Sequence, residues 1–128
     1  MREILFRGKR KDNGEWVKGS FWDEIPGKLG GIAQYGSCVF HHIDLETVGQ
    51  FTGLIDKNGA KVFDGDIVKV LQGKDKGVAY VGFENGSFML YPRTGNIYER
   101  TMWAYWYNDW DVEIIGNIHD NPELLKNP

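Results

Sequence analysis

The stretch Thr47–Val70, TVGQFTGLIDKNGAKVFDGDIVKV, decides the fold class of this chain. Two short apolar runs flank Asp56–Gly59 (DKNG). Asn-Gly between such runs predicts a β-hairpin with a type I′ turn, because both residues tolerate a positive φ. A second turn, Phe63–Asp66, leads into the β-branched segment Ile67–Val70, which predicts another strand. The stretch therefore indicates short antiparallel strands, and it carries no catalytic motif.

Composition indicates an ordinary globular protein with many tight turns. The 128 residues include 17 glycines, and 41% of the residues are hydrophobic. This length predicts a single domain over residues 1–128. No apolar run approaches the roughly 18 residues that span a bilayer, and Cys38 is the lone cysteine, so no intrachain disulfide can form. We therefore expect a soluble protein of the cytoplasm, with no contact to membranes.

The rest of the chain also reads as short strands separated by turns. A second Asn-Gly pair, Asn85-Gly86, predicts another hairpin, and we interpret residues 23–31 as a loop because they contain a proline and three glycines. Residues 65–91 resemble the opening strands of SH3-like small barrels. Asn121 followed by Pro122 predicts a capped helical turn near the C-terminus. The predicted fold is all-β, a small SH3-like or related β-barrel with additional hairpins and a short C-terminal helical turn.

Three motifs extend over most of the chain in a fixed order. They are FRGK with GEWVKG (residues 6–19), VGQFTGL with DKNG and FDGDIV (48–68), and VEIIGNI with NPELL (112–125). Together they resemble the YopX-like family of small proteins encoded by phages and prophages. The resemblance implies an all-β fold and a phage or prophage origin. It implies no catalytic residues, because the family has no established activity.

Two clusters of possible metal ligands have simpler structural interpretations. His41 and His42 could bind a divalent metal together with Asp44, Glu46 and His119, but neighbouring residues of a strand point to opposite faces, so the two adjacent histidines cannot both ligate one ion without distortion. Asp64 and Asp66 flank a glycine, where Asp is favoured because its carboxylate accepts hydrogen bonds from nearby backbone N–H groups. We expect no metal ion and no other cofactor.

The sequence also lacks the motifs of the common nucleophilic and phosphate-binding enzymes. It has no Walker loop and no Gly-x-Ser-x-Gly elbow. Cys38 could pair with His41 or His42 as a nucleophile, yet a thiol in the segment SCVFH is more often a small buried apolar side chain. We expect a protein that is not an enzyme.

The aromatic segment Tyr98–Trp110, YERTMWAYWYNDW, is the best candidate for a functional surface. We expect it to be a strand with one face in the core and the other available to a partner, or with both faces packed in an aromatic core. Aromatic residues are enriched in the centres of protein interfaces. The leading hypothesis is an accessory protein that acts through contacts with phage or host proteins and through self-association into a homo-oligomer. The predicted contact residues are Trp103, Tyr105, Trp106, Tyr107 and Trp110.

The alternative function is nucleic-acid binding by a small barrel. The basic cluster Arg7, Lys9, Arg10 and Lys11 lies near Trp16 in the sequence, and such a mixture suits phosphates and stacked bases. The net charge of −3 argues against this alternative. Residues 1–64 carry nine basic and nine acidic side chains, whereas residues 65–128 carry six and nine.

Overall fold

The computed structural model describes residues 3–34 and 39–126, and these residues form two compact units, residues 1–53 (unit 1) and 54–128 (unit 2). Within this part of the chain the fold is almost entirely β, which confirms the predicted class. The elements are β1 (Phe6–Arg10), β2 (Trp16–Ile25), β3 (Leu29–Gln34), β4 (Phe40–Ile55), β5 (Lys61–Phe63), β6 (Asp66–Gln72), β7 (Asp75–Glu84), β8 (Ser87–Gly95), β9 (Arg100–Thr101), α1 (Met102–Tyr107), β10 (Asp111–Asn117) and a 3₁₀ turn (Pro122–Leu125).

Unit 1 contains a ring of antiparallel strand pairs. β1 pairs with β2, β2 with β3 and β3 with β4, and β1 also pairs with β4. The register between β1 and β4 shifts after Arg7, and Thr47 occupies this irregularity: its hydroxyl accepts a hydrogen bond from the backbone N–H of Lys9 at 2.9 Å. The core of unit 1 contains Val17, Ile32 and Ile43.

The sequence of β2 predicts an alternation, with Val17, Gly19 and Phe21 on the inner face and Trp16, Lys18, Ser20 and Trp22 on the other, and burial along residues 16–20 confirms it. Val17 is buried in the core of unit 1, and the flanking residue Lys18 is exposed. The predicted loop over residues 23–31 is wrong, because β2 continues to Ile25 and β3 begins at Leu29. A tight turn with Gly27 at φ 75° joins the two strands. The sequence also predicts short strands over residues 30–35 and 37–43; residues 30–34 lie in β3 and residues 40–43 in β4, while residues 35–38 lie outside the described part of the chain.

The two Asn-Gly pairs form different turns. Asn85 and Gly86 have φ values of 52° and 80°, as a type I′ turn requires. At Asp56–Gly59 only Gly59 has a positive φ, 84°, so the predicted type I′ turn is wrong there. The Asp56 carboxylate accepts hydrogen bonds from the backbone N–H groups of Asn58 and Ala60, and these bonds favour a longer turn.

Unit 2 contains a five-stranded antiparallel sheet with the order β10-β6-β7-β8-β9. The carboxylate of the buried Asp66 accepts a hydrogen bond from the Phe63 N–H at 2.7 Å, which confirms its predicted role in a turn. The expected C-terminal helical turn is present, but the Asn121 side chain does not cap it; it accepts a hydrogen bond from the Asn117 N–H instead. The core of this unit comprises Val62, Val68, Val70, Ala79, Val81, Leu90, Ile97, Met102, Tyr105 and Val112.

Candidate interaction surfaces

Within the aromatic segment of unit 2, Met102–Tyr107 form a short helix, α1, so the predicted strand is wrong over these residues and is present only at Arg100–Thr101, in β9. Met102 and Tyr105, three residues apart, share the buried face of α1. After the helix, Asp109 adopts φ 56° and its N–H donates to the Trp106 carbonyl. Asn and Asp tolerate this left-handed conformation, which commonly ends helices. The Asn-Asp pair at 108–109 was therefore the sequence signal for a helix end.

Tyr105 belongs to the core, which corrects its expected place on an interaction surface. Its side chain is only 2% exposed, and its hydroxyl donates to the Tyr98 carbonyl and accepts from the Tyr98 N–H. Burial raises the pKa of the Tyr105 hydroxyl despite its contact with Tyr98 and the positive charge of Arg100. The phenol therefore stays neutral and fixes residue 98 beside α1.

Trp103 and Tyr107 form the exposed part of the helix. Their rings stack with centroids 4.6 Å apart and an interplanar angle of 23°, and they are 64% and 69% exposed. Residues four apart on a helix are neighbours, which explains the pairing. We call these two residues the aromatic pair.

Trp106 and Trp110, the other two predicted contact residues, line a cleft in unit 2. Trp106 donates its indole N–H to the Ile55 carbonyl at 2.7 Å. Trp110 makes an edge contact with the Tyr105 ring at 5.2 Å. The cleft has a volume of about 300 Å³, near the lower limit for ligand pockets in general. Its lining comprises Ile55, Asp56, Lys57, Trp106, Asp109, Trp110, Asp111 and Val112, and we call it the indole cleft.

Asp56 is the one buried carboxylate of the indole cleft, and it supports the backbone around it. It accepts hydrogen bonds from the N–H groups of Asn58, Ala60 and Ile114 at 2.9, 2.9 and 3.1 Å. Burial alone would raise the pKa of this carboxyl, but these hydrogen bonds outweigh burial and the pKa lies below its ordinary value. Asp56 is therefore a structural anion.

Unit 1 brings three of the predicted nucleic-acid residues together on one outward face. The Arg7 guanidinium lies 4.8 Å and the Lys9 ammonium 5.5 Å from the centre of the Trp16 ring. Arg10 is not part of this group, because alternation along β1 separates it and its side chain forms a bidentate ion pair with Asp12. Lys11 lies in the exposed turn after β1. We call Arg7, Lys9 and Trp16 the cationic face.

A second aromatic group in unit 1 was missed by the sequence reading. The Phe40 ring makes edge contacts with Trp22 at 6.4 Å and His42 at 5.3 Å. His42 also lies 3.6 Å from the Glu24 carboxylate. The sequence signal for this group was Gly31. A Cβ at that position would come within 2.3 Å of the Phe40 ring, so only glycine leaves room for the ring.

The described residues give no support to the metal-binding site or to the Cys–His nucleophile that the sequence offered as alternatives. Within residues 3–34 and 39–126, no group of three or more His, Cys, Asp and Glu side chains is arranged to hold a metal ion. Cys38, the hypothetical nucleophile, lies outside the described residues. Neither helix in the described ranges has the length and apolar character needed to cross a membrane.

Comparison with known proteins identifies the family. The sequence model of the family described as YopX protein matches residues 5–126. The chain belongs to the YopX family. Among solved structures, a protein of this fold is EF1440 from Enterococcus faecalis, with a TM-score of 0.60 and 22% identity over 98% of this chain and 100% of that one. No curated protein matches the chain. At this identity the similarity to EF1440 establishes the fold of the YopX chain and nothing about its activity.

Proposed function

We propose that this YopX protein is a phage or prophage accessory protein that works in the bacterial cytoplasm by binding other proteins through unit 2. The observation that supports it is the aromatic pair, two large stacked side chains held in solvent on a short helix. Trp and Tyr are the side chains most enriched among residues that dominate binding energy. The phage origin and the cytoplasmic location rest on the family resemblance and on the lone cysteine.

Self-association is part of this proposal. Exposed aromatic side chains on one copy can pack on those of another in a symmetric contact, in which the same patch serves both copies. We expect light scattering to show a mass that rises with concentration, and the variant W103A/Y107A to lower that mass. A strict monomer over a wide concentration range would exclude self-association, while binding to other proteins would remain open.

The test for partner proteins is a pull-down from induced or infected host cells with nuclease treatment. The wild-type chain and two variants serve as baits: W103A/Y107A, and Phe83→Ala as the matched control. Phe83 is also an exposed aromatic residue of unit 2, but it lies on β7. We expect the double variant to lose partners that the control retains. Equal recovery by both variants would contradict the proposal.

A second candidate function, single-stranded nucleic-acid binding, is favoured by the cationic face of unit 1. Arg7 and Lys9 flank an indole at 4.8 and 5.5 Å, and proteins that bind single strands combine positive side chains with aromatic rings in this way. It ranks second because Asp44 lies directly opposite Lys9 in the strand register. Unit 1 also carries seven basic and seven acidic residues, so it has no excess of positive charge.

Fluorescence anisotropy with labelled oligonucleotides of DNA and RNA over a salt series tests this candidate. If it is right, binding weakens steeply with salt, and R7Q/K9Q binds more weakly than K28Q/K74Q, which removes two exposed lysines from turns. Absence of binding at low salt would eliminate it.

A further inference from the structure

We propose that the indole cleft binds a lysine or arginine side chain, so that the protein partner of unit 2 presents a basic residue beside apolar ones. This inference rests on the proposed function and names the chemistry of the partner. The cleft lies in the same segment as the aromatic pair, because Trp106 comes directly before Tyr107 in α1. A segment that covers the pair therefore has the cleft within reach.

The walls of the cleft suit a cation. Indole is the aromatic ring that attracts cations most strongly. Both indoles are held in place: Trp106 by its 2.7 Å hydrogen bond to the Ile55 carbonyl, and Trp110 by its edge contact with Tyr105. Because these contacts are made within unit 2, a ligand does not have to order the rings on binding.

The charges around the cleft favour the same ligand. Asp109 and Asp111 line it and are both exposed. Lys57, the one cation among the lining residues, lies 3.9 Å from the Glu113 carboxylate. A guanidinium beside a carboxylate can form paired, charge-assisted hydrogen bonds.

The charge of the whole unit agrees with this local arrangement. Residues 54–128 carry eight basic and eleven acidic side chains, so unit 2 accounts for the full net charge of −3, and unit 1 is neutral. A field of this sign attracts basic segments and repels acidic ones. The occupant is therefore a basic protein segment, and an acidic peptide or a nucleic-acid backbone is disfavoured.

Binding can be tested without knowing the partner. The probe is N-acetyl-arginine methylamide, and its neutral counterpart is N-acetyl-citrulline methylamide, which has nearly the same shape. Chemical shifts of the indole N–H groups, assigned by substituting each tryptophan in turn, report occupancy of the cleft. We expect the arginine probe to produce saturable shifts of the Trp106 and Trp110 signals at millimolar concentration, and the citrulline probe to bind at least about tenfold more weakly.

Two double variants distinguish the effect of the cleft carboxylates on binding of the arginine probe from the effect of the net charge of unit 2. D109N/D111N should weaken the arginine probe at least about tenfold. Asn tolerates the left-handed φ of 56° at position 109, so this variant should keep the wild-type fold. The matched control E99Q/E123Q removes two exposed carboxylates of unit 2 outside the cleft and should bind like wild type. Equal binding of arginine and citrulline, or unchanged binding by D109N/D111N, would overturn the inference.

Failure of the arginine-probe titration can be distinguished from failure of the pull-down. If W103A/Y107A loses its partners but the arginine probe gives no saturable shift, the proposed function stands and the cationic ligand is wrong. If the probe binds as expected while the aromatic double variant keeps every partner, the ligand site stands and the proposed function is wrong.

Discussion

The two units expose aromatic side chains beside charges of opposite sign. In unit 1, Trp16 lies under the guanidinium of Arg7 and near the ammonium of Lys9. In unit 2, the two indoles of the cleft lie beside Asp109 and Asp111. An aromatic surface alone does not identify a partner, because proteins and single-stranded nucleic acids both use such rings. The neighbouring charge decides which partner fits, and it points to phosphates for unit 1 and to basic side chains for unit 2.

The units also share a device: each places an aromatic ring over a glycine on the sheet surface. Phe40 lies where a Cβ of Gly31 would be, and the Tyr91 ring occupies the same place over Gly82. The difference is in the backbone. At Gly31 the His41 carbonyl also lies within 2.5 Å of the added Cβ, whereas at Gly82 the near contacts all belong to the Tyr91 ring. We therefore expect the surface of unit 1 to tolerate less change at its glycine.

The largest expected effect concerns the two faces of α1. Tyr105→Ala should lower the free energy of unfolding by about 3–5 kcal/mol, the range for large aromatic residues in cores. Tyr107→Ala should change it by about 0.5 kcal/mol or less, since that ring is 69% exposed. Urea denaturation followed by circular dichroism measures both. Similar losses for the two variants would show that the exposed ring is also structural, and would weaken the proposal that it serves a partner.

The next prediction compares the loss of stability when a methyl group is added to each glycine that lies beneath an aromatic ring. Gly31→Ala should cost about 1–3 kcal/mol, because the new methyl group meets the ring and a backbone carbonyl. Gly82→Ala should cost less, because the Tyr91 ring is partly exposed and can move. Chemical denaturation of the two variants measures the difference. A larger loss for Gly82→Ala would mean that the tyrosine ring, and not the backbone at Gly31, is the more rigid neighbour.

The next prediction compares how two carboxylates, one in each unit, contribute to the stability of the protein in acid. In unit 2, the folded-state pKa of Asp56 is lowered below 3.8. Its stabilisation is therefore present above the unfolded-state pKa and is lost as the pH falls through the folded value. Asp56→Asn should cost about 1–3 kcal/mol at neutral pH, because at least one backbone N–H loses its acceptor, and the difference should shrink in acid.

Asp12 is the matched carboxylate of unit 1. The Arg10 side chain lowers its pKa through a hydrogen bond, but the pair is on the surface. Asp12→Asn should therefore have a smaller effect that salt screens. Urea denaturation at neutral and acidic pH, with and without added salt, measures both variants. If Asp56→Asn kept the acid sensitivity of wild type, another group would be responsible for it.

The sequence predicted the strands well because their signals are local. Alternation along β2 is confirmed by burial, and Asn85-Gly86 forms the expected type I′ turn. The predicted hairpin at Asp56–Gly59 is present between β4 and β5, but its turn is not type I′, because a carboxylate with three backbone donors overrides the Asn-Gly preference. The prediction for residues 102–107 was wrong because aromatic residues favour strands, and the packing of Met102 and Tyr105 in the core of unit 2 decided for a helix.

The candidate sites were predictable only in part, since they join residues far apart in the sequence. Trp106 and Trp110 were expected at a surface, but their cleft depends on the segment from Ile55 to Lys57, which pairs with β10 through the hydrogen bond from the Lys57 N–H to the Val112 carbonyl. No local pattern reveals such a contact. The Trp22–Phe40–His42 group was missed for the same reason.

The smallest effect concerns a further carboxylate beside an aromatic ring in unit 2. The Tyr91 hydroxyl donates to the Glu84 carboxylate at 2.5 Å, and this hydrogen bond is the main cause that raises the pKa of Tyr91 to about 12. Glu84→Gln should lower that pKa towards the ordinary 10.0, because an amide neither repels the phenolate nor favours the phenol as strongly. Absorbance titration of the phenolate measures the shift, with Glu123→Gln as the control. An unchanged titration would show that the Glu84 carboxylate does not hold the proton of the Tyr91 hydroxyl. The contrast in charge between the aromatic surfaces of the two units would then rest on Asp109 and Asp111 of the indole cleft alone.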